Sequence, residues 1–301
     1  MTRVLLFGGQ GQVGWELVRA LQGFGDCDVV GRDRVDFNDP ASVRHTVVDR
    51  RPDWVVNCAA YTQVDRAEDE PEQARCVNAD AVDAVAAACA GTGSRLVHYS
   101  TDYVFDGLSA VPYKEGDPTA PLGVYGASKL QGEHAIRTRG CHHLILRTSW
   151  VYASRGNNFL LTILRLARER SELRVVQDQV GAPTWARFIA QATVAMMWRC
   201  RLSKDATARL AAGATVNLTN AGATSWFGFA SALLEEAHAR SAWPLPSIVP
   251  IPTSAYPTRA RRPLNSQLDL SALKSSWGVD APDWRVSMRL CLEEVLARQP
   301  S

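Results

Sequence analysis

The 301-residue sequence is short of several things that would each have pointed to a function. No apolar run approaches the roughly 18 residues of a membrane-spanning helix. Ahead of the first glycines stand only Arg3 and the apolar Val4–Phe7, too little for the core of a secretory leader. The seven cysteines are odd in number and include no Cys-x-x-Cys pair, which argues against a disulfide framework or a zinc site. Reduced thiols packed as small apolar residues in a cytoplasmic protein are expected instead. The six histidines form no His-Glu-x-x-His motif, and the His142–His143 pair is expected at the surface. Neither a Gly-x-Ser-x-Gly elbow nor a Walker A loop is present. Charge of one sign is also lacking: 33 Lys and Arg against 31 Asp and Glu leave +2, which excludes the basic coat of a nucleic-acid binder. With 46% hydrophobic and 21% charged residues, the chain is globular, and long enough for two domains or one large one.

What is there is an alternation of short apolar runs and amphipathic stretches. Residues 3–7, 27–30, 54–60, 95–100 and 144–150 read as strands, with helices expected near 13–21, 42–50, 78–90 and 126–137. That spacing predicts a doubly wound parallel sheet with helices on both faces over residues 1–170. Residues 171–301 are expected to form mainly a smaller α/β lobe, with some segments returning to the sheet. Six of the 15 prolines fall in 244–263, which reads as an extended loop. A last helix is expected over about 284–296.

Gly8, Gly11 and Gly14 follow the first strand and open the first helix as Gly-x-x-Gly-x-x-Gly. The first glycine suits a tight turn, the second lets a pyrophosphate reach the backbone, and the third lets helix pack on sheet. In that setting the loop predicts a dinucleotide. The end of the second strand carries Gly31-Arg32 where an NAD site would usually carry an acid. A guanidinium suits a 2′-phosphate, so NADPH is expected. The alternative is Asp33 or Asp36 on the ribose, which would admit NADH.

Tyr125 and Lys129 stand four apart at the start of a helix, hence on one face. A phenol is a poor proton donor near neutral pH, and a neighbouring ammonium lowers its pKa toward the useful range. Thr101 lies at the C-terminal end of a strand, where open α/β sheets place their ligands. It could bond a carbonyl oxygen while Tyr125 supplies the proton. Arg259, Arg261 and Arg262 sit in the prolyl stretch and suit a diphosphate.

At these residues the chain resembles the dTDP-4-dehydrorhamnose reductase family, of the extended short-chain dehydrogenase/reductase group. The resemblance rests on Phe7-Gly-Gly-Gln-Gly-Gln-Val-Gly14, Asn57-Cys-Ala-Ala-Tyr-Thr62 and Ser100-Thr-Asp-Tyr-Val-Phe-Asp-Gly107. Val124-Tyr-Gly-Ala-Ser-Lys129, Asp178-Gln-Val-Gly-Ala-Pro-Thr184 and Arg262-Pro-Leu-Asn-Ser266 extend it over nearly the whole chain. It implies a Rossmann-type fold and reduction of the 4-keto group of dTDP-4-dehydro-β-L-rhamnose. Tyr125 would be the acid, Lys129 would tune it and hold the ribose, and Thr101 would polarise the ketone. Gln12 and Val13 would lie on the pyrophosphate, Asp36 and Phe37 near the adenine, and Ala60, Tyr61, Thr62 and Tyr99 along the cofactor. Asp102, Tyr103, Trp150, Arg262 and Asn265 would face the sugar nucleotide. Some relatives are Mg²⁺-dependent dimers built on three glutamates; Glu16 and Glu294 fit two places, but Arg187 falls at the third. That argues against a structural Mg²⁺ and its dimer mode, leaving a homodimer open. A dehydratase would carry Asp-Glu after Thr101, where Asp102-Tyr103 stands. An epimerase on the same scaffold, and a non-catalytic regulatory subunit like that of methionine adenosyltransferase, are the alternatives.

Overall fold

Aliphatic and β-branched runs form the parallel strands around which the chain winds. The computed structural model describes residues 1–298. Strands β1 (Arg3–Phe7), β2 (Asp26–Val30), β3 (Trp54–Asn57), β4 (Arg95–Thr101) and β5 (His143–Thr148) are joined in one sheet by the strand Ala214–Asn217. Their order is Ala214–Asn217, β5, β4, β3, β1, β2, with every neighbouring pair parallel. Val4, Leu5, Leu6 and Phe7 are all buried, the unbroken apolar run that a strand covered on both faces requires. Strand order reverses at β1, which has β2 on one side and β3 on the other. A crevice therefore opens at the C-terminal ends of β1 and β3.

The helices follow from local chemistry. Helix α1 (Gln12–Ala20) buries Leu17 against the sheet. Helix α2 (Pro40–Arg50) starts where the Asp39 carboxylate accepts from the Ala41 and Ser42 N–H groups, with proline at its first position. The helices Ala81–Thr92 and Val124–Arg139 end at Gly93 and Gly140, both with positive φ. One apolar layer packs α2 and Ala81–Thr92 on one sheet face. The other layer runs from Leu6 and Leu17 through the helices Ala186–Leu202, Trp226–Ser241 and Trp284–Ala297 without a break. Among the described residues, no helix is long and apolar enough to cross a membrane.

Several expectations are corrected. The prolyl stretch contains a strand, Ser247–Ile251, paired in parallel with Glu172–Val176, and Pro250 lies within it. A two-stranded ribbon is all edge, so a missing N–H is tolerated there. The helix expected near 78–90 runs on to Thr92 and turns at Gly93. The strands expected to reach Ala60 and Trp150 stop at Asn57 and Thr148, where the chain leaves the sheet to build the crevice. His142 is exposed but His143 is buried at the start of β5, its Nδ1 2.8 Å from the Cys141 carbonyl.

A buried ion pair joins β5 to the helix Val124–Arg139. Arg147 donates to both oxygens of Glu133, at 2.9 and 2.7 Å, and a third N–H meets the Glu115 carbonyl at 3.0 Å. Burial pushes the Glu133 carboxyl up, but Arg147, with Ser100 and Arg137, more than offsets this and holds it below its ordinary range. Removing one partner of such a pair leaves the other charge short of its main counterion, and the half-exposed Arg137, 2.8 Å from Glu133, only partly replaces Arg147. Arg147→Met is therefore expected to cost about 3–5 kcal/mol of unfolding free energy in urea titrations; a loss under about 1 kcal/mol would contradict this account.

Candidate active site

The crevice begins with a turn that only glycine permits. Gly8 has φ +77° and its carbonyl accepts from Gly11 N–H at 3.0 Å. A Cβ on Gly14 would lie 2.2 Å from the Gly8 oxygen, and one on Gly8 would lie 2.7 Å from the Ala59 nitrogen. Gly11 caps α1 without any side-chain bond, which leaves the first-turn N–H groups of α1 free for an anion. Gln12, beside Val13 in that turn, accepts from Asn158 Nδ2 at 3.0 Å. This cradle suits the pyrophosphate of a dinucleotide.

Arg32 is exposed just beyond β2. Asp36 accepts from the Asn38 N–H, and Phe37 meets Phe7 edge-on at 5.3 Å. These three residues thus follow one another along the segment leaving β2. Beyond β3, Ala60 and Tyr61 are half-buried and Thr62 is exposed. Asn78 holds this loop: its Oδ1 accepts from Tyr61 N–H at 2.9 Å and its Nδ2 donates to the Tyr61 carbonyl at 3.0 Å. The same Nδ2 is 3.0 Å from Ser128 Oγ, one residue before Lys129. Sequence reasoning missed Asn78, whose signal was a lone amide between Val77 and Ala79 in an apolar run. Tyr99 spends its hydroxyl on Thr193 at 2.8 Å in the core and offers Lys129 its carbonyl.

Thr101 and Tyr125 meet where β4 ends, and Lys129 reaches the same strand two residues earlier, at Tyr99. Thr101 Oγ1 donates to Asp102 Oδ1 at 2.9 Å and accepts from Tyr103 N–H at 3.2 Å. Burial pushes the Tyr125 phenol up; a hydrogen bond with Thr101 works against that, while Asp102 and Tyr103 add to it. The Tyr103 ring stands edge-on to Tyr125 at 5.6 Å. Lys129 donates to the Tyr99 carbonyl at 2.6 Å, and burial lowers its pKa to about 8. Glu68 accepts from Val124 N–H at 2.9 Å and so fixes the start of the helix that carries both residues.

Just beyond β5, Trp150 adopts φ +47° and stacks on Trp226, with centroids 3.5 Å apart and planes within 7°. A Cβ on Gly181 would come within 2.7 Å of the Trp150 ring, which explains the glycine of Gly-Ala-Pro-Thr. Trp226 was not singled out from the sequence, because a tryptophan opening a helix reads equally as core. Arg262 donates to Tyr103 Oη at 2.9 Å and to Asp65 at 2.6 Å, while Arg259 pairs with Asp69. Asn265 gives its amide to the Ser109 carbonyl at 2.7 Å and so clamps the turn after Gly107. Thr101, Asp102, Tyr103, Tyr125 and Arg262 are thus in one connected cluster.

The donor set does not fit a divalent cation at Glu16 and Glu294. The Arg187 guanidinium lies between them, 3.0 Å from Glu16 and also paired with Glu294. A fixed cation already satisfies both carboxylates. Among the described residues, no group of three or more His, Cys, Asp and Glu side chains could hold a metal.

Asp102 is buried, and burial pushes its carboxyl up to about 7 against the hydrogen bonds from Thr101 and Ser266. A carboxyl raised on folding stabilises the native state less as pH rises from its unfolded value to its folded one. Asp102→Asn should therefore gain Tm relative to the parent between about pH 4 and 7, with the gain level above that. A pH-independent difference in thermal melts would refute the assignment.

Comparison with known proteins gives the family. The family model described as RmlD substrate binding domain matches residues 1–297. The dTDP-4-dehydrorhamnose reductase of Burkholderia thailandensis is 48% identical over 299 residues, covering 98% of this chain and 100% of the relative. The enzyme of the same name from Escherichia coli K12 is 46% identical over 298 residues, with 97% of each chain covered. The crystal structure of dTDP-4-dehydrorhamnose reductase from Bacillus anthracis in complex with NADP superposes with a TM-score of 0.88 at 32% identity, covering 98% of this chain and 100% of that one.

Proposed function

The chain belongs to the RmlD, or dTDP-4-dehydrorhamnose reductase, family, and we propose that it reduces the 4-keto group of dTDP-4-dehydro-β-L-rhamnose with NADPH. The observation that carries this reading is the junction of the glycine cradle with Thr101, Tyr125 and Lys129 at one end of the parallel sheet. Bound in that cradle, NADPH would supply the hydride. Gly8, Gly11, Gln12, Val13 and Gly14 would hold its pyrophosphate at the start of α1, and Arg32 its 2′-phosphate. Asp36 and Phe37 would flank the adenine, and Ala60, Tyr61, Thr62 and Tyr99 the rest of the cofactor.

Thr101 turns its hydroxyl from Asp102 to the ketone oxygen and polarises the carbonyl. Tyr125, kept protonated by burial, gives its proton to that oxygen as the alcohol forms, and solvent returns a proton to the phenolate. Lys129 holds the nicotinamide ribose. The Trp150–Trp226 stack forms the wall for the deoxysugar, and Asp102 bonds its hydroxyls. Tyr103 and Asn265 shape the mouth, while Arg262 leaves Asp65 to meet the diphosphate. The seven free thiols suit a cytoplasmic setting, and any homodimer would form without a carboxylate-bound metal.

Tyr125→Phe is expected to lower kcat by about 10²–10⁴ while NADPH affinity stays near that of the parent. NADPH oxidation with the dTDP-keto sugar reads the first and fluorescence titration the second; unchanged turnover would remove Tyr125 as the acid. Arg32→Ala should raise KM for NADPH by about tenfold and change KM for NADH far less. Equal effects on both cofactors would move the 2′-phosphate contact elsewhere.

A further inference from the structure

His98 is fully buried on β4, three residues before Thr101, and no step of the proposed reduction uses it. Its Nδ1 lies 3.2 Å from Nδ2 of Asn57, its register partner on β3, and its Nε2 lies 3.3 Å from Lys129 Nζ. The backbone fixes which way the Asn57 amide points. Ala59 N–H donates to Asn57 Oδ1 at 3.0 Å, so the NH₂ end faces the imidazole. An amide NH₂ only donates, and His98 Nδ1 must therefore be the accepting nitrogen. Burial, with Lys129 and His143 beside it, keeps the ring neutral. A neutral imidazole has a single N–H, which then sits on Nε2 and points at Lys129.

An ammonium has three N–H groups and no lone pair, so a charged Lys129 would set donor against donor. The free amine accepts from His98 Nε2–H and still donates to the Tyr99 carbonyl at 2.6 Å. We propose that His98 is a positioning residue that favours Lys129 as the free amine, through a relay from the Ala59 N–H through Asn57 and the imidazole to Nζ. Charging Lys129 needs Nε2 as an acceptor, which moves the ring proton to Nδ1. Asn57 must then turn its oxygen to the ring, and Ala59 N–H loses its partner. The charge on Lys129 is thereby coupled to the loop of Ala60, Tyr61 and Thr62.

The other groups facing Lys129 pull the opposite way. Glu133, one turn further along the same helix and paired with Arg147 and Arg137, favours the charged amine, as does Cys58 beyond β3. On the His98 side the charged or titratable neighbours are Lys129 and His143 of β5. The catalytic meaning of the relay rests on the proposed reduction, but its existence does not.

NMR of the full chain with nitrogen-15 in histidine and lysine tests it without substrate or cofactor. Lys129 should lose its proton near pH 8, and above that midpoint long-range proton–nitrogen couplings should show His98 in the Nε2–H form, with the ring proton moving to Nδ1 as Lys129 charges. Asn57→Asp keeps an acceptor for Ala59 but presents its second oxygen to the ring, which should invert the tautomer. Asn57→Ala removes the donor without adding charge. Each should move the Lys129 midpoint up by about one pH unit, a tenfold gain in basicity. Native His98 in the Nδ1–H form above the Lys129 midpoint would overturn the proposal. So would an inverted tautomer in Asn57→Asp with the Lys129 midpoint unmoved. The native tautomer is measured without any substitution, so a variant that fails to fold does not shelter the idea. A native protein with the Nε2–H tautomer but no reductase turnover would count against the proposed reaction and support the relay.

Discussion

The approach of α1 to the end of β1, backbone against backbone at Gly14 and Gly8, is the constraint on which the crevice depends. A single methyl group at either glycine would fall inside the contact distance of main-chain atoms. Neither chain segment could yield without moving the sheet, because Phe7 is packed beneath the turn and Leu17 beneath the helix. The open first turn of α1 and the loop after β3 owe their proximity to this contact. The other walls, from the end of β4 to Trp150, are placed by the same sheet.

Dryness is the second organising influence, and it acts on the site's acids and bases in a common sense. Burial disfavours charge whatever its sign, so it raises the Tyr125 phenol and the Asp102 carboxyl and lowers Lys129 and His98. A protonated phenol is the form that the proposed reduction needs, in which Tyr125 gives a proton away. The tyrosine–lysine spacing suggested a different emphasis, an ammonium pulling the phenol down. In the folded chain Lys129 is bonded to the Tyr99 carbonyl, and Thr101 supplies the lowering influence on Tyr125.

The alternation of strands and helices was legible because parallel strands are buried on both sides and their apolar runs are unbroken. The glycine loop was legible because close backbone approach admits one residue type. Boundaries were less so: β3 continues in sequence as Cys58-Ala59-Ala60 after the chain has left the sheet, and Trp150, two residues past β5, takes a left-handed backbone conformation no pattern announces. The strand around Pro250 was hidden by the prolines that an edge tolerates. Asn78, His98 and Trp226 were missed for a shared reason. Each acts through a neighbour distant in sequence, and a single buried polar or aromatic residue carries no spacing signal of its own.

The Arg187 bridge between Glu16 and Glu294 joins α1 to the helix Trp284–Ala297, so the first and last helices of the chain are tied by one side chain. During synthesis the opening strands and the glycine turn emerge from the ribosome long before their final buttress exists. Glu16, nearly enclosed in the finished protein, must wait for its guanidinium and then for the carboxylate that completes the trio. Until the helix Trp284–Ala297 docks, α1 stands without its brace, and a fault in that helix would be felt at Glu16, in the helix that the glycine turn opens.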